Sequence, residues 1–334
     1  MLAFITSLRH PDNARDYARN ERLLKDTLNS IALQTSNDYV VVVVSNVPLS
    51  FPVPDRVVSV VVDFPPPASA GTHASYQAVV WDKGTKLGIG LIAAREYAPD
   101  YVMITDADDF VHRDLVAFTR EHAGEPGWYI ARGWRYSGKR NVYRSLRAFH
   151  LQCGTSYILQ FAAYGVPDDA TEDIGQGEVF DIFGDLLATI LGSHMRVRQW
   201  ANRHGYRLAP LPFRGAVHHV DTGENHSGGT LGGIARTATR EMRETYGMPP
   251  RPVAASIRPQ WVLGTPLALV GSGYDYLQRK VDALVADDSP RFDLTAYRAH
   301  VGHCTSAIEG SVVTRGSAAL EIIAAQRVNE VRSE

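Results

Sequence analysis

The chain has 334 residues, 45% hydrophobic and 21% charged, which is enough apolar material for one large or two modest cores. A formal net charge of −2 gives no global reason to expect nucleic acid or an anionic membrane as partner. No apolar run reaches the ~18–20 residues of a membrane span, no secretory leader is visible, and the two cysteines, Cys153 and Cys304, cannot build a disulfide framework, so a cytoplasmic location is expected.

In chain order, Leu2–Ser7 predicts a short buried strand, and Arg9–Asn13 a polar turn. Tyr17, Leu24, Leu28 and Ile31 recur at helical spacing. Asp38–Ser45 holds five successive valines, as a strand buried on both faces would. Val57–Asp63 is a similar run, stopped by Pro65, Pro66 and Pro67. Lys86–Tyr97 reads as a helix leading into YVMITDADDFV at 101–111. This alternation predicts an α/β fold, with a mostly parallel central sheet covered by helices on both faces. Farther on, the pattern predicts a strand near Trp128–Arg132, a helix from Asp185 to His204 closed by Gly205, and a strand at Leu208–Leu211. Residues 221–236 carry five glycines without periodicity, the composition of a linker or of a mobile lid spanning 221–240. Residues 260–334 look mainly helical, with Leu277, Val281, Leu284 and Val285 as one stripe, an accessory layer or a homodimer surface.

The most informative element is the apolar strand that runs into Asp106, Asp108 and Asp109. Carboxylates at the carboxyl end of a strand sit where open α/β sheets bind ligands. Two of them one residue apart offer hard oxygen donors to a divalent ion, which would bridge to a substrate's phosphates. An ordinary acidic turn is the alternative.

Five segments fall in a telling order: FITS at 4–7, LLKDTLNSIALQT at 23–35, KGTKLGIGLIAAREYAPDYVMITDADD at 83–109, CGTSYIL at 153–159 and HMRVRQWANRHGYRLAPLP at 194–212. Together they make residues 1–225 resemble nucleotide-sugar-dependent glycosyltransferases of the GT-A fold, particularly the family-two group. That resemblance implies a nucleotide-binding half over 1–110, an acceptor half over 111–225 and a helical C-terminal extension over 241–334. It also implies metal-dependent transfer of a sugar from a nucleotide-sugar donor, with uridine as the base, to a carbohydrate or small-molecule hydroxyl acceptor.

By the same resemblance Asp106 faces the nucleoside, and Asp106 and Asp108 hold Mn2+ or Mg2+. Asp109 either assists or caps the next helix. A histidine from GAVHHVDTGENHS at 215–227 would complete the metal site. Adjacent strand residues point to opposite faces, so at most one of His218 and His219 faces it. The spacing favours His219, with His226 the third candidate and a role outside the site the alternative for all three. Thr6, Arg9, Asp63 and Lys86 would contact the donor, and Arg236 with Arg240 would close over the diphosphate. Turn and surface roles are the alternatives for these residues. The position where the resemblance expects a catalytic Asp is His194, and histidine can serve as a general base near neutral pH. His194 also continues the apolar stripe of Leu187, Ile190 and Leu191, as a core residue would. Glu172, Asp173, Asp181 and Asp185 are the reserve candidates, and a retaining reaction would need no such base.

Three rival classes fit less well. A sugar-1-phosphate nucleotidyltransferase needs a glycine-rich loop where this chain reads FITSLRHPDN. A dehydrogenase needs G-x-G-x-x-G after the first strand, which is missing. A non-catalytic binding protein would tolerate a broken aspartate cluster, and this one is intact. For the acceptor, Arg132, Trp134, Arg135, Tyr136, Arg140 and Tyr143 combine aromatics suited to sugar rings with cations suited to an anion. An ordinary polar loop is the alternative.

Overall fold

The computed structural model describes residues 1–69, 74–224, 230–232, 235–250 and 314–315. The strands expected from the first apolar runs form: β1 (Leu2–Ser7), β2 (Tyr39–Ser45), β3 (Val57–Val61) and β4 (Tyr101–Ile104). They pair in parallel in the order β3-β2-β1-β4. Helix α1 (Tyr17–Ala32) starts where the Asp16 carboxylate accepts the Arg19 N–H. Side chains alternate across the sheet. Phe4, Val41 and Val43 pack with Leu24, Leu28 and Ile31 of α1 on one face. Ala3, Ile5, Val40, Val42 and Val44 pack with Leu87, Ile89 and Leu91 on the other. The result is a mixed α/β fold with a mostly parallel central sheet.

Helix α2 spans Tyr76–Arg95, beginning well before the expected Lys86. Ser75 caps it by accepting the Ala78 N–H, and nearly every residue from Ala78 to Ala94 is buried. A helix buried on all sides has no polar face to betray its start. It lies against β1 so closely that a Cβ at Gly90 would come within 2.4 Å of the Ile5 Cγ2.

After β4 come β5 (Phe110–Val111), α3 (Leu115–Glu121), β6 (Gly127–Tyr129), β7 (Arg132–Ser137), β8 (Val142–Arg147) and β9 (Tyr157–Gln160). Then follow α4 (Gln176–Phe183), α5 (Val197–Arg203), β10 (Ala209–Pro210), β11 (Ala216–Val220), β12 (Arg236–Thr237), α6 (Arg240–Tyr246) and β13 (Thr314–Arg315). Strands β9, β6 and β10 extend the first sheet beyond β4, and β13 closes its other edge, giving eight strands. Segments before and after residue 110 therefore share one sheet. A second sheet of five strands runs β12-β8-β7-β11-β5.

The helix expected over Asp185–His204 is broken. A π-helical turn at Leu187–Leu191 is followed by an irregular link, and only Val197–Arg203 is α-helical. At the break the chain passes close to α2: a Cβ at Gly192 would lie 2.3 Å from the Val80 carbonyl oxygen and 2.8 Å from that of Leu187, so only glycine fits there. The strand expected at Leu208–Leu211 shortens to β10. Of the 221–240 lid, residues 225–229 and 233–234 lie outside the described residues, and so does most of the helical extension with its dimer stripe. Among the described residues no helix is long and apolar enough to cross a membrane.

Candidate functional site

A cavity of about 380 Å3 opens at the carboxyl edge of the parallel strands. In the order β3-β2-β1-β4 the chain reverses direction across the sheet between β1 and β4, and such switch points are where open α/β sheets bind ligands. The cavity lies there, lined by Ser7, Leu8 and Arg9 after β1 and by Asp106, Ala107 and Asp108 after β4. Tyr76, Val79, Val80 and Lys83 come from the first turns of α2; Gly192, Ser193 and His194 from the broken helix; His218 from β11; and Glu224 from beyond it.

The three aspartates have different surroundings. Lys83 Nζ meets Asp106 Oδ1 at 2.5 Å, both side chains being about a quarter exposed (28% and 29%). Burial pushes Asp106 up, but the Lys83 ammonium prevails and holds its carboxyl below the usual range. Asp109 is fully buried and accepts from Cys153 Sγ (3.0 Å), Thr155 Oγ1 (2.7 Å) and the His219 backbone N–H (2.9 Å). It thus ties β5 to β11 and to the 153–155 segment, and α3 begins after Asp114 instead. Burial and the neighbouring Asp106 raise Asp109 to about 7. Asp108 is pushed well up by burial, then by Asp109 and Asp106, and its Oδ2 lies 3.5 Å from Thr222 Oγ1. Cys153 stays a thiol, raised by burial and by Asp109 and Asp106.

Two histidines face the cavity as neutral rings. Burial pulls His194 down to about 4, and its contact with the Leu151 backbone leaves Nε2 buried and without a hydrogen-bond partner. Burial and then Arg135 pull His218 down to about 3, and its Nδ1 is similarly buried without one.

Of the residues expected here, the structure gathers Asp106, Asp108, Arg9 and His194 around one cavity. The histidine from β11 is His218, not His219. The Asp109 carboxylate holds the His219 backbone, and the His219 ring packs between Phe110 and Tyr136 at centroid distances of 5.4 and 5.3 Å. Lys86 is also displaced from its expected role. It is fully buried, pairs with Asp82 at 2.7 Å and donates to the Leu8 carbonyl at 3.0 Å. Lys83, nearly one helical turn closer to the cavity, meets the motif instead. Thr6 is buried beneath the cavity floor; Asp63, Asp181 and Asp185 are exposed; and Arg236 is exposed on edge strand β12, so none of these lines the cavity. His226 lies outside the described residues. Lys83 and Glu224 carried no sequence signal: one sits in an all-buried helix, the other in an aperiodic segment. Glu224 accepts from Arg9 Nη1 at 3.4 Å and from the Asp16 N–H at 3.0 Å, drawing the end of the β11 segment onto the loop after β1.

The residues suit a divalent ion in their donor chemistry. Asp106 and Asp108 present carboxylates, His218 a buried ring nitrogen without a hydrogen-bond partner, and Lys83 pairs with Asp106. No group of three His, Cys, Asp or Glu among the described residues is drawn close enough to hold an ion unaided. Water or oxygen atoms of a bound ligand would have to complete its shell, as is usual for Mg2+.

Two predictions arise here. Asp109 has a folded pKa raised above its unfolded value, so folding takes up a proton between about pH 4 and 7. Its contribution to stability is therefore lost as pH rises through that window, by at most about 1.4 kcal/mol per unit. Histidines whose pKa values burial lowers, namely His10, His112, His150, His194 and His218, act with the opposite sign. Comparing urea unfolding of the wild type and Asp109→Asn in EDTA across this range isolates the carboxylate. Parallel curves would refute the assignment. Secondly, a Cβ at Gly154 would stand 2.6 Å from Asp106 Oδ2. Gly154→Ala should displace that carboxylate and cost about 1–3 kcal/mol of stability, read by urea unfolding, while far-ultraviolet circular dichroism stays unchanged.

No family model and no curated protein matches the chain. Among solved structures it is similar to S. aureus TarS, with a TM-score of 0.35 and 12% identity over 66% of this chain. The match spans 36% of the TarS chain. It is also similar to apo mouse xyloside xylosyltransferase 1, with a TM-score of 0.23 and 10% identity over 62% of this chain and 77% of that one.

Proposed function

We propose that this protein transfers a sugar from a nucleoside-diphosphate donor to an acceptor hydroxyl. The observation that carries the reading is the cavity at the β1/β4 switch point, where Asp106 and Asp108 face Arg9, Lys83 and the first turn of α2. Cleaving such a donor leaves a diphosphate with growing negative charge. Arg9 and Lys83 supply cations for it, and a helix amino terminus adds its dipole. Mn2+ or Mg2+ held by Asp106, Asp108 and His218 would neutralise the same charge as a Lewis acid. His194 is the base. Once a side-chain shift opens its buried Nε2 to the cavity, the neutral ring would accept the acceptor's hydroxyl proton as the oxygen bonds to the anomeric carbon and the bond to the phosphate oxygen breaks. Direct displacement of this kind inverts the anomeric centre. The loop after β1 holds a single turn at Pro11–Asn13 and no glycine, which disfavours wrapping a triphosphate.

The test is differential scanning fluorimetry with UDP, GDP, dTDP and CDP, each with Mn2+ and with EDTA. One diphosphate should raise the melting temperature only when the metal is present. No shift with any of the four would sink the reading.

A further inference from the structure

Asp106 is fixed on the sides that face the protein. Its backbone N–H donates to Thr155 Oγ1 at 2.9 Å, and Thr155 in turn donates to the buried Asp109. Its carboxylate packs so closely over Gly154 that a Cβ there would lie 2.6 Å from Oδ2 and 2.9 Å from Oδ1. On the cavity side Lys83 Nζ meets Oδ1 at 2.5 Å. The ammonium therefore sits on the carboxylate that a divalent ion would use. Two cations crowded onto one carboxylate repel each other, so the ion takes Asp106 fully only when Lys83 leaves. Lys83 has the means to leave, because it lines the open cavity on a flexible four-carbon stem. Lys86, nearly one turn on, does not: it is fully buried and held by both Asp82 and the Leu8 carbonyl. Arg9 lines the same cavity, but Glu224 rather than an aspartate of the cluster holds it, at 3.4 Å.

We infer that Lys83 guards the metal position: it occupies Asp106 until a diphosphate draws its ammonium away, so that metal and diphosphate load together and the metal binds only weakly alone. The diphosphate gives the ammonium a second anionic partner in the same cavity, and binding energy is shared between the two arrivals. The inference rests on the metal-assisted transferase reading for its two ligands, but the competition at Asp106 is testable apart from it.

The experiment titrates Mn2+ into the full chain without nucleotide, reading free Mn2+ by electron paramagnetic resonance, for wild type, Lys83→Met, Lys83→Arg and Arg9→Gln. Lys83→Met should bind Mn2+ at least about tenfold more tightly than wild type. Lys83→Arg, which keeps a cation on Asp106, should stay as weak as wild type, and Arg9→Gln should stay close to it. Lys83→Gln repeats the measurement should the methionine variant not fold. Equal affinity in Lys83→Met and wild type, or an equal gain in Arg9→Gln, would overturn the inference. In heteronuclear NMR of lysine-labelled protein, the Lys83 side-chain signal is assigned by its loss in Lys83→Arg. It should move when Mg2+ and inorganic pyrophosphate are added together, and a signal that stays in place would refute the exchange. If both results hold but no nucleoside diphosphate shifts the melting temperature, the transferase reading falls and the Lys83 exchange stands.

Discussion

Lys86→Met is expected to lower the melting temperature by roughly 6–20 °C, corresponding to about 3–5 kcal/mol. Lys86 is fully buried, and burial lowers its pKa despite the attraction of Asp82. The ammonium meets Asp82 at 2.7 Å and donates to the Leu8 carbonyl at 3.0 Å. Removing it leaves the Asp82 carboxylate buried, 8% exposed, with its counterion gone. Breaking one side of a buried pair in this way is far costlier than replacing both partners with apolar groups. The double variant Asp82→Leu, Lys86→Met should therefore recover much of the loss. Leu8 precedes Arg9, so releasing its carbonyl should also weaken diphosphate binding in the double variant. A melting point of Lys86→Met within 2 °C of wild type, on the order of 1 kcal/mol, would refute the role of this pair.

Asp108→Ala should have the largest functional effect, a fall in transfer rate of at least about a hundredfold, with loss of the metal-dependent diphosphate shift. Its effect on the free protein should be opposite in sign. Burial, Asp109 and Asp106 raise the folded pKa of Asp108 well above its unfolded value. Above that unfolded value the folded state must either keep this carboxyl protonated or bury its charge, and the alanine removes that cost. The variant should melt higher than wild type in EDTA at pH 7.5, and lower than wild type with Mn2+ and the matching diphosphate. Scanning fluorimetry reads both. A variant that melts lower in both conditions would show Asp108 to be structural.

The features legible in the sequence were those that local chemistry dictates. A strand buried on both faces must be apolar throughout, so Val40–Val44 announced β2 without any tertiary information. The polar end of β4 likewise announced Asp106 and Asp108, because a run of aspartates cannot continue a buried strand. Ser75 was a cap in plain view, but α2 is covered on all sides and its amphipathic signal vanished, hiding both its start and the distinction between Lys83 and Lys86. The break after Leu191 was also hidden, because the close approach of Gly192 to Val80 is a contact between segments far apart in the chain.

By itself, then, the sequence determined the alternating α/β order, the parallel valine strands and the aspartate cluster at a strand's end, all set by burial and by short-range periodicity. Only the tertiary structure decided which histidine faces the cavity, since a strand's two faces are equivalent until its neighbours are known. Here Asp109 holds the His219 backbone while Phe110 and Tyr136 flank its ring, which turns His218 inward. It also decided that Lys83 meets Asp106 and that His194 reaches the cavity through a broken helix. Each of these follows from contacts between segments far apart in the chain, which no local pattern records.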